Sequence, residues 1–146
     1  VAVSVHWGSN WGYDVPTPDI RLSRRLIDAG ADVVFGHSSH HPRPIEIYQG
    51  KLVLYGCGDF IDDYEGITGH EEYRDDLRLL YLADLDRKTG RLAAMRIIPF
   101  QARQMRLHRA SEIDSSWLTA TLGRINRRFG SHVRLDPDGS LVLESA

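Results

Sequence analysis

Residues Val33 to His41 read Val-Val-Phe-Gly-His-Ser-Ser-His-His. Three apolar residues, two of them β-branched, run into a glycine and then a cluster of histidines. The apolar run predicts a short strand buried on both faces, as in a parallel sheet. Gly36 is expected to end it, because a residue without a side chain lets the backbone turn sharply. His37 and His40 stand three positions apart. On a continued strand their side chains would face opposite ways, whereas on a tight turn they can converge. Two converging neutral imidazoles make a transition-metal site. Histidines beside a turn also serve as plain surface residues, so the rest of the chain has to decide between the two.

Working outward, Val1 to Val5 is a second strand-like run, and His6 follows at once. Asp19–Ala29 predicts a helix, with Thr17 as its N-cap, Pro18 in its first turn and Gly30 to end it. Ile20, Leu22, Leu26, Ile27 and Ala29 supply an apolar face, and Arg21, Arg24 and Arg25 a solvated one. Strand, helix and strand make a βαβ unit, whose crossover is right-handed and whose strands are parallel. Parallel strands finish on the same side. His6 and His37 are therefore expected at one edge of one sheet, where open α/β sheets bind their ligands. Between His6 and the helix, Trp7, Trp11 and Tyr13 sit in a Gly/Asn/Asp/Pro-rich loop, where they either line a cleft or pack the loop onto the sheet end.

The 146 residues suffice for one domain with a core of its own. A net charge of -2 implies no nucleic-acid or anionic-membrane partner. A single cysteine, Cys57, excludes an internal disulfide framework and a cysteine-based zinc site. It reads as a small packed residue, since no base is indicated beside it. No apolar run approaches the roughly 20 residues that a membrane helix needs.

Downstream, Ile45–Tyr48 and Lys51–Tyr55 flank Gln49-Gly50 as a hairpin. The second strand leads into Gly56-Cys57-Gly58-Asp59-Phe60, which sets Asp59 just past a strand end. Asp62–Asp76 reads as a solvated acidic loop. Leu77–Asp86 and Arg91–Phe100 form another hairpin, with Leu80, Leu82 and Leu85 expected in the core against Leu92, Ala94 and Ile97. Ser111 caps a second helix, with Asp114 three residues on. Leu118, Leu122, Ile125 and Phe129 follow its stripe, Arg124, Arg127 and Arg128 suit its dipole, and Gly130 stops it. Val133–Leu135 and Leu141–Leu143 close the chain as a hairpin. His108 and His132 read as surface residues.

In these residues the sequence resembles the poly-gamma-glutamate capsule synthesis protein family, the CapA-like branch of the metallophosphoesterase-like superfamily. His6-Trp7-Gly8 is similar to the family's His-Trp-Gly. Leu26 to Val34 is similar to its helix-to-strand passage. Gly36-His37-Ser38-Ser39-His40 stands for Gly-His-His-Pro-His, and Gly58-Asp59-Phe60 for Gly-Asn-Phe. The resemblance implies part of a four-layer α/β/β/α sandwich, in which two divalent metal ions (Mn, Zn, Fe or Mg) activate water between two sheets. It implies metal-ligand roles for His6, His37 and His40. Asp59 is the candidate acceptor that fixes an imidazole tautomer.

The superfamily's earlier Asp and Asn motifs are missing here. Residues 1–146 are thus expected to be the C-terminal portion of a single domain, inactive without the N-terminal portion and prone to self-association. Localisation, in the cytoplasm or at a bacterial envelope, stays open. The substrate implied is a phosphate ester or a poly-gamma-glutamate-type polyanion, handled by a metal-dependent hydrolase or bound by a non-catalytic assembly factor. Three departures stand out: Ser38-Ser39 for His-Pro, Asn10 where the family often has Glu, and Asp59 for Asn.

Overall fold

The structure, a computed structural model, describes residues 1–145 as a mixed α/β fold with two sheets. The first sheet holds β1 (Ala2–His6), β2 (Val33–His37), β3 (Ile45–Tyr48) and β4 (Lys51–Leu54) in the order β1-β2-β4-β3. As expected, β1 and β2 run parallel, with Ala2 opposite Val33 and His6 opposite His37. The helix between them, α1 (Thr17–Asp28), completes the βαβ unit. β4 lies parallel to β2 and antiparallel to β3. The second sheet is antiparallel: β5 (Leu77–Leu85), β6 (Leu92–Arg103), β9 (Leu141–Ser145) and β8 (Ser131–Leu135), with β7 (Arg106–Arg109) beside β6.

Two apolar clusters explain why these elements stack. Ile20 and Ile27 of α1 pack with Trp7, Val34, Val53 and Tyr55 on one side of the first sheet. Ile45, Leu52 and Leu54 share the other cluster with Leu77, Leu79, Met95, Ile97, Leu141 and Leu143 of the second sheet. The first sheet is thus covered by a helix on one face and by a sheet on the other. Leu118, Leu122 and Ile125 of α2 (Glu112–Ile125) enter the sheet–sheet cluster. The stripe then divides, because Phe129 tilts onto Tyr55 at 5.0 Å between ring centroids and joins the α1 side. Polar pins hold β3 to this end of α2. Asn126 Oδ1 accepts from Ile45 N at 2.9 Å, and Ser131 Oγ donates to Ile45 O at 2.6 Å.

Several expectations need correction. Thr17 does not cap α1: Pro16 occupies that position without a side-chain bond, and Thr17 is already helical. Ser111 does cap α2, accepting from Asp114 N at 3.1 Å. Leu22 is largely exposed, and its place inside is taken by Ser23, fully buried, whose hydroxyl meets Ile20 O and Tyr55 OH. Arg24 is not simply solvated, because its guanidinium grips the buried Glu46 through Nε at 3.1 Å and Nη2 at 2.5 Å. β5 turns the opposite face inward: Leu77 and Leu79 are core and Leu82 faces solvent. On β6 Ala94 also faces solvent, whereas Ile97 is buried beside Met95 and Leu92 packs on the same cluster, as expected. Apolar residues of both parities in Leu77–Leu82 leave the register open to either reading, and a one-residue shift exchanges the faces. β6 also runs on past Phe100, because Gln104 and Met105 take the left-handed conformation and fold β7 back on it.

Candidate metal centre

β2 carries His37 into the strand itself, so Gly36 does not end it. Its lack of a side chain is needed for another reason. A Cβ on Gly36 would lie 2.0 Å from Trp7 Nε1 and 2.6 Å from Tyr55 O. Trp7 is buried, and its indole N–H donates to that same Tyr55 carbonyl at 2.9 Å. The indole therefore crosses directly over Gly36 and locks the residue after His6 onto the sheet.

The chain turns at Ser38 instead. Its φ of 139° lies in a region that L-residues seldom adopt. Its hydroxyl donates to Trp7 O at 2.5 Å, which ties the two strand ends together. Non-glycine residues held this way concentrate at functional sites. The consequence is close approach of two imidazoles: Nδ1 of His6 and Nδ1 of His37 are 3.2 Å apart. At a metal–nitrogen bond length of about 2.0–2.1 Å, that separation subtends about 100° at a shared ion, near the tetrahedral angle. The pair thus fits two nitrogen ligands of one divalent metal. Among the described residues no third His, Cys, Asp or Glu completes a group of three.

His40 is positioned separately. Its backbone N–H donates to Asn10 O at 3.1 Å, so at Asn10 the backbone makes the contact. Its Nδ1 lies 2.9 Å from Asp59 Oδ2 and 3.2 Å from the Tyr64 hydroxyl, which itself donates to Asp59 at 2.9 Å. Asp59 also faces Arg78, almost wholly buried, at 3.0 Å, and Asp62 faces that guanidinium at 3.1 Å. A carboxylate fixed by Arg78 and Tyr64 accepts the Nδ1–H of His40 and leaves Nε2 as the free lone pair. Asp59 reaches this place because the chain beyond β4 stays bonded. Cys57 N donates to Gly36 O at 3.1 Å and Arg43 N to Gly56 O at 2.9 Å. Burial pushes the Cys57 thiol up to about 12, which removes it as a nucleophile.

His41 points into an aromatic cluster. It is fully buried, stacks on Tyr73 at 4.6 Å and meets Tyr13 edge-on at 4.8 Å. Burial lowers its pKa to about 4, so the ring is neutral. Trp11 stacks on His70 at 4.0 Å and leans on His40 at 5.2 Å, packing the loop down. Arg43, also buried, holds that loop by donating to Ser9 O at 3.0 Å and Ser9 Oγ at 2.9 Å. The acidic segment is therefore not only a solvated loop, because Tyr64 folds back onto His40 and His70 onto Trp11. Tyr64 left no trace in the sequence. Arg78 did: an arginine between Leu77 and Leu79 at the start of a strand calls for a buried acid partner.

The three histidines lie within a stretch, residues 1–64, that matches the profile of the family described as bacterial capsule synthesis protein PGA_cap. A Mycobacterium tuberculosis protein named "Probable polyglutamine synthesis accessory protein" is 58% identical over 144 residues, 99% of this chain. The chain spans 38% of that relative's length. The "PGA biosynthesis protein CapA" of Bacillus subtilis is 40% identical over 63 residues, 43% of this chain and 17% of its own. No helix among the described residues is long and apolar enough to cross a membrane.

Proposed function

We infer, for a chain that belongs to the CapA-like family of bacterial capsule synthesis proteins, a part in making a polyglutamate-type capsule polymer through a divalent-metal site of the hydrolase type. One observation carries this reading: the Nδ1 atoms of His6 and His37, delivered by neighbouring parallel strands, are set 3.2 Å apart. His6 and His37 would hold a divalent ion such as manganese or zinc, and His40 would present Nε2 to the same edge. A divalent ion supplies a bound water of lowered pKa and a clamp for the anion under attack. The residues of this chain do the positioning. Asp59 and Tyr64 hold the His40 tautomer, Ser38 ties the strand ends, and Trp11 with His70 covers the side of His40. The substrate is a phosphate ester or an amide-linked polyanion. The stacking of α1, the first sheet and the second sheet is consistent with part of a four-layer α/β/β/α metallophosphoesterase-like sandwich.

A second reading is a non-catalytic assembly factor that binds metal or polyanion. It is favoured by the convergence of only two nitrogens among the described residues and by the word "accessory" in the mycobacterial relative's name. Turnover of a generic phosphodiester by the manganese-loaded full-length protein separates the two. The hydrolase reading expects turnover that His37→Ala abolishes. Absence of turnover in a protein that takes up metal at these histidines would leave the assembly role.

A further inference from the structure

α2 and the turn that follows it end in Arg124, Arg127 and Arg128, all exposed. The negative end of a helix dipole attracts cations, which accounts for some basic residues here. It does not account for their arrangement. The three arginines wall a pocket of about 310 Å³ whose other side is the segment Tyr13–Val15, between β1 and α1. Arg124 lies over the Tyr13 ring at 5.0 Å, and Arg128 donates to Val15 O at 3.2 Å. Arg24, Arg74, Arg78, Arg96 and Arg134 each face an acid, while arginines scattered elsewhere, such as Arg21 and Arg25 on α1, do not among the described residues. Arg124, Arg127 and Arg128 have no carboxylate within ion-pair distance among the described residues, although Asp14 stands in the pocket lining. Three cations against one acid leave a positive pocket large enough for a small ligand group. Guanidinium forks match carboxylates. The pocket adjoins the histidine loop, because the Tyr13 ring meets His41, the neighbour of His40.

We propose that the pocket between Tyr13–Val15 and Arg124–Arg128 binds the carboxylates of an acidic, polyglutamate-type chain, as an anchoring site apart from the histidines. The choice of a polycarboxylate rests on the capsule-polymer reading; the binding itself does not require the metal. The test is a titration of the metal-free protein, in chelator and at low salt, with a short oligoglutamate and with inorganic phosphate. The variant Arg124→Ala/Arg127→Ala is compared with Arg21→Ala/Arg25→Ala, which removes the same charge from α1, and the thermal midpoints of both are recorded. Arg128 is kept because it supports Val15. Loss of about tenfold or more in oligoglutamate affinity in the first variant, with the second within about twofold of the parent, is expected. Equal losses in both, no loss in either, or phosphate binding as tight as oligoglutamate would overturn the proposal. Failure to take up metal at the histidines would leave this test intact, so the two readings fail separately.

Discussion

His6 and His37 are 31 positions apart in the chain, yet they stand directly opposite each other in the parallel register of β1 and β2, with Nδ1 atoms 3.2 Å apart. Neither histidine is informative alone. A right-handed βαβ crossover makes their meeting a consequence of topology, since parallel neighbours end at one edge. Trp7 and Ser38 then fix the distance, one by burying its indole over Gly36 and the other by bonding across the two strand ends.

Gly36→Ala is expected to destabilise the protein by about 3 kcal/mol or more, because the added carbon meets the Trp7 indole and a backbone oxygen that cannot move aside. Gly123→Ala is the contrast. Nothing lies within 4 Å of the carbon it adds, and it sits inside α2. There alanine should stabilise by about 0.5–1 kcal/mol. Urea unfolding of both variants beside the parent checks the pair. Similar behaviour of the two would show that the crossing at Gly36 is not tight.

His41 sets a pH dependence of stability. Burial lowers its pKa to about 4 in the folded protein, against about 6.5 in an unfolded chain. The unfolded state thus binds more protons between these values, and stability rises with pH across that window. Stability is expected to fall as pH drops from about 6.5 to about 4, by an amount of order 3 kcal/mol at the lower end. His41→Phe keeps an aromatic ring beside Tyr73 and should flatten that slope. Denaturant midpoints at several pH values, in the presence of chelator, measure it.

The legible part of this molecule was what local pattern and topology control. The apolar runs at Val1–Val5 and Val33–Phe35 and the helix between them settle the parallel unit, and with it the meeting of His6 and His37. The capping pair Ser111 and Asp114 was equally plain. The face of β5 was not, because Leu77, Leu79, Leu80 and Leu82 offer apolar residues of both parities. Nor was the surround of His40. Tyr64 and His70 come from a segment whose composition reads as solvent-facing, and only tertiary contact with Asp59 and Trp11 folds them inward.

Asp59→Ala should loosen His40 and leave the buried Arg78 with Asp62 as its remaining carboxylate partner. The expected cost is about 2–4 kcal/mol, because an under-compensated buried charge is expensive. Asp59→Asn keeps the shape and should cost less, while weakening the hold on the His40 Nδ1 proton. The imidazole 15N shifts of His40 report the tautomer directly. An unchanged tautomer in both variants would mean that Asp59 does not set it.

The most direct measurement of the central claim is zinc or manganese binding by titration calorimetry, with the bound metal counted by elemental analysis, in the parent, His6→Ala, His37→Ala and His132→Ala proteins. His132 is exposed on β8 in the second sheet and controls for adventitious imidazole binding. His6→Ala and His37→Ala are each expected to lower metal affinity by about a hundredfold or more, close to 3 kcal/mol, while His132→Ala binds like the parent. Parent-like uptake in both His6→Ala and His37→Ala would contradict a metal site at the edge shared by β1 and β2.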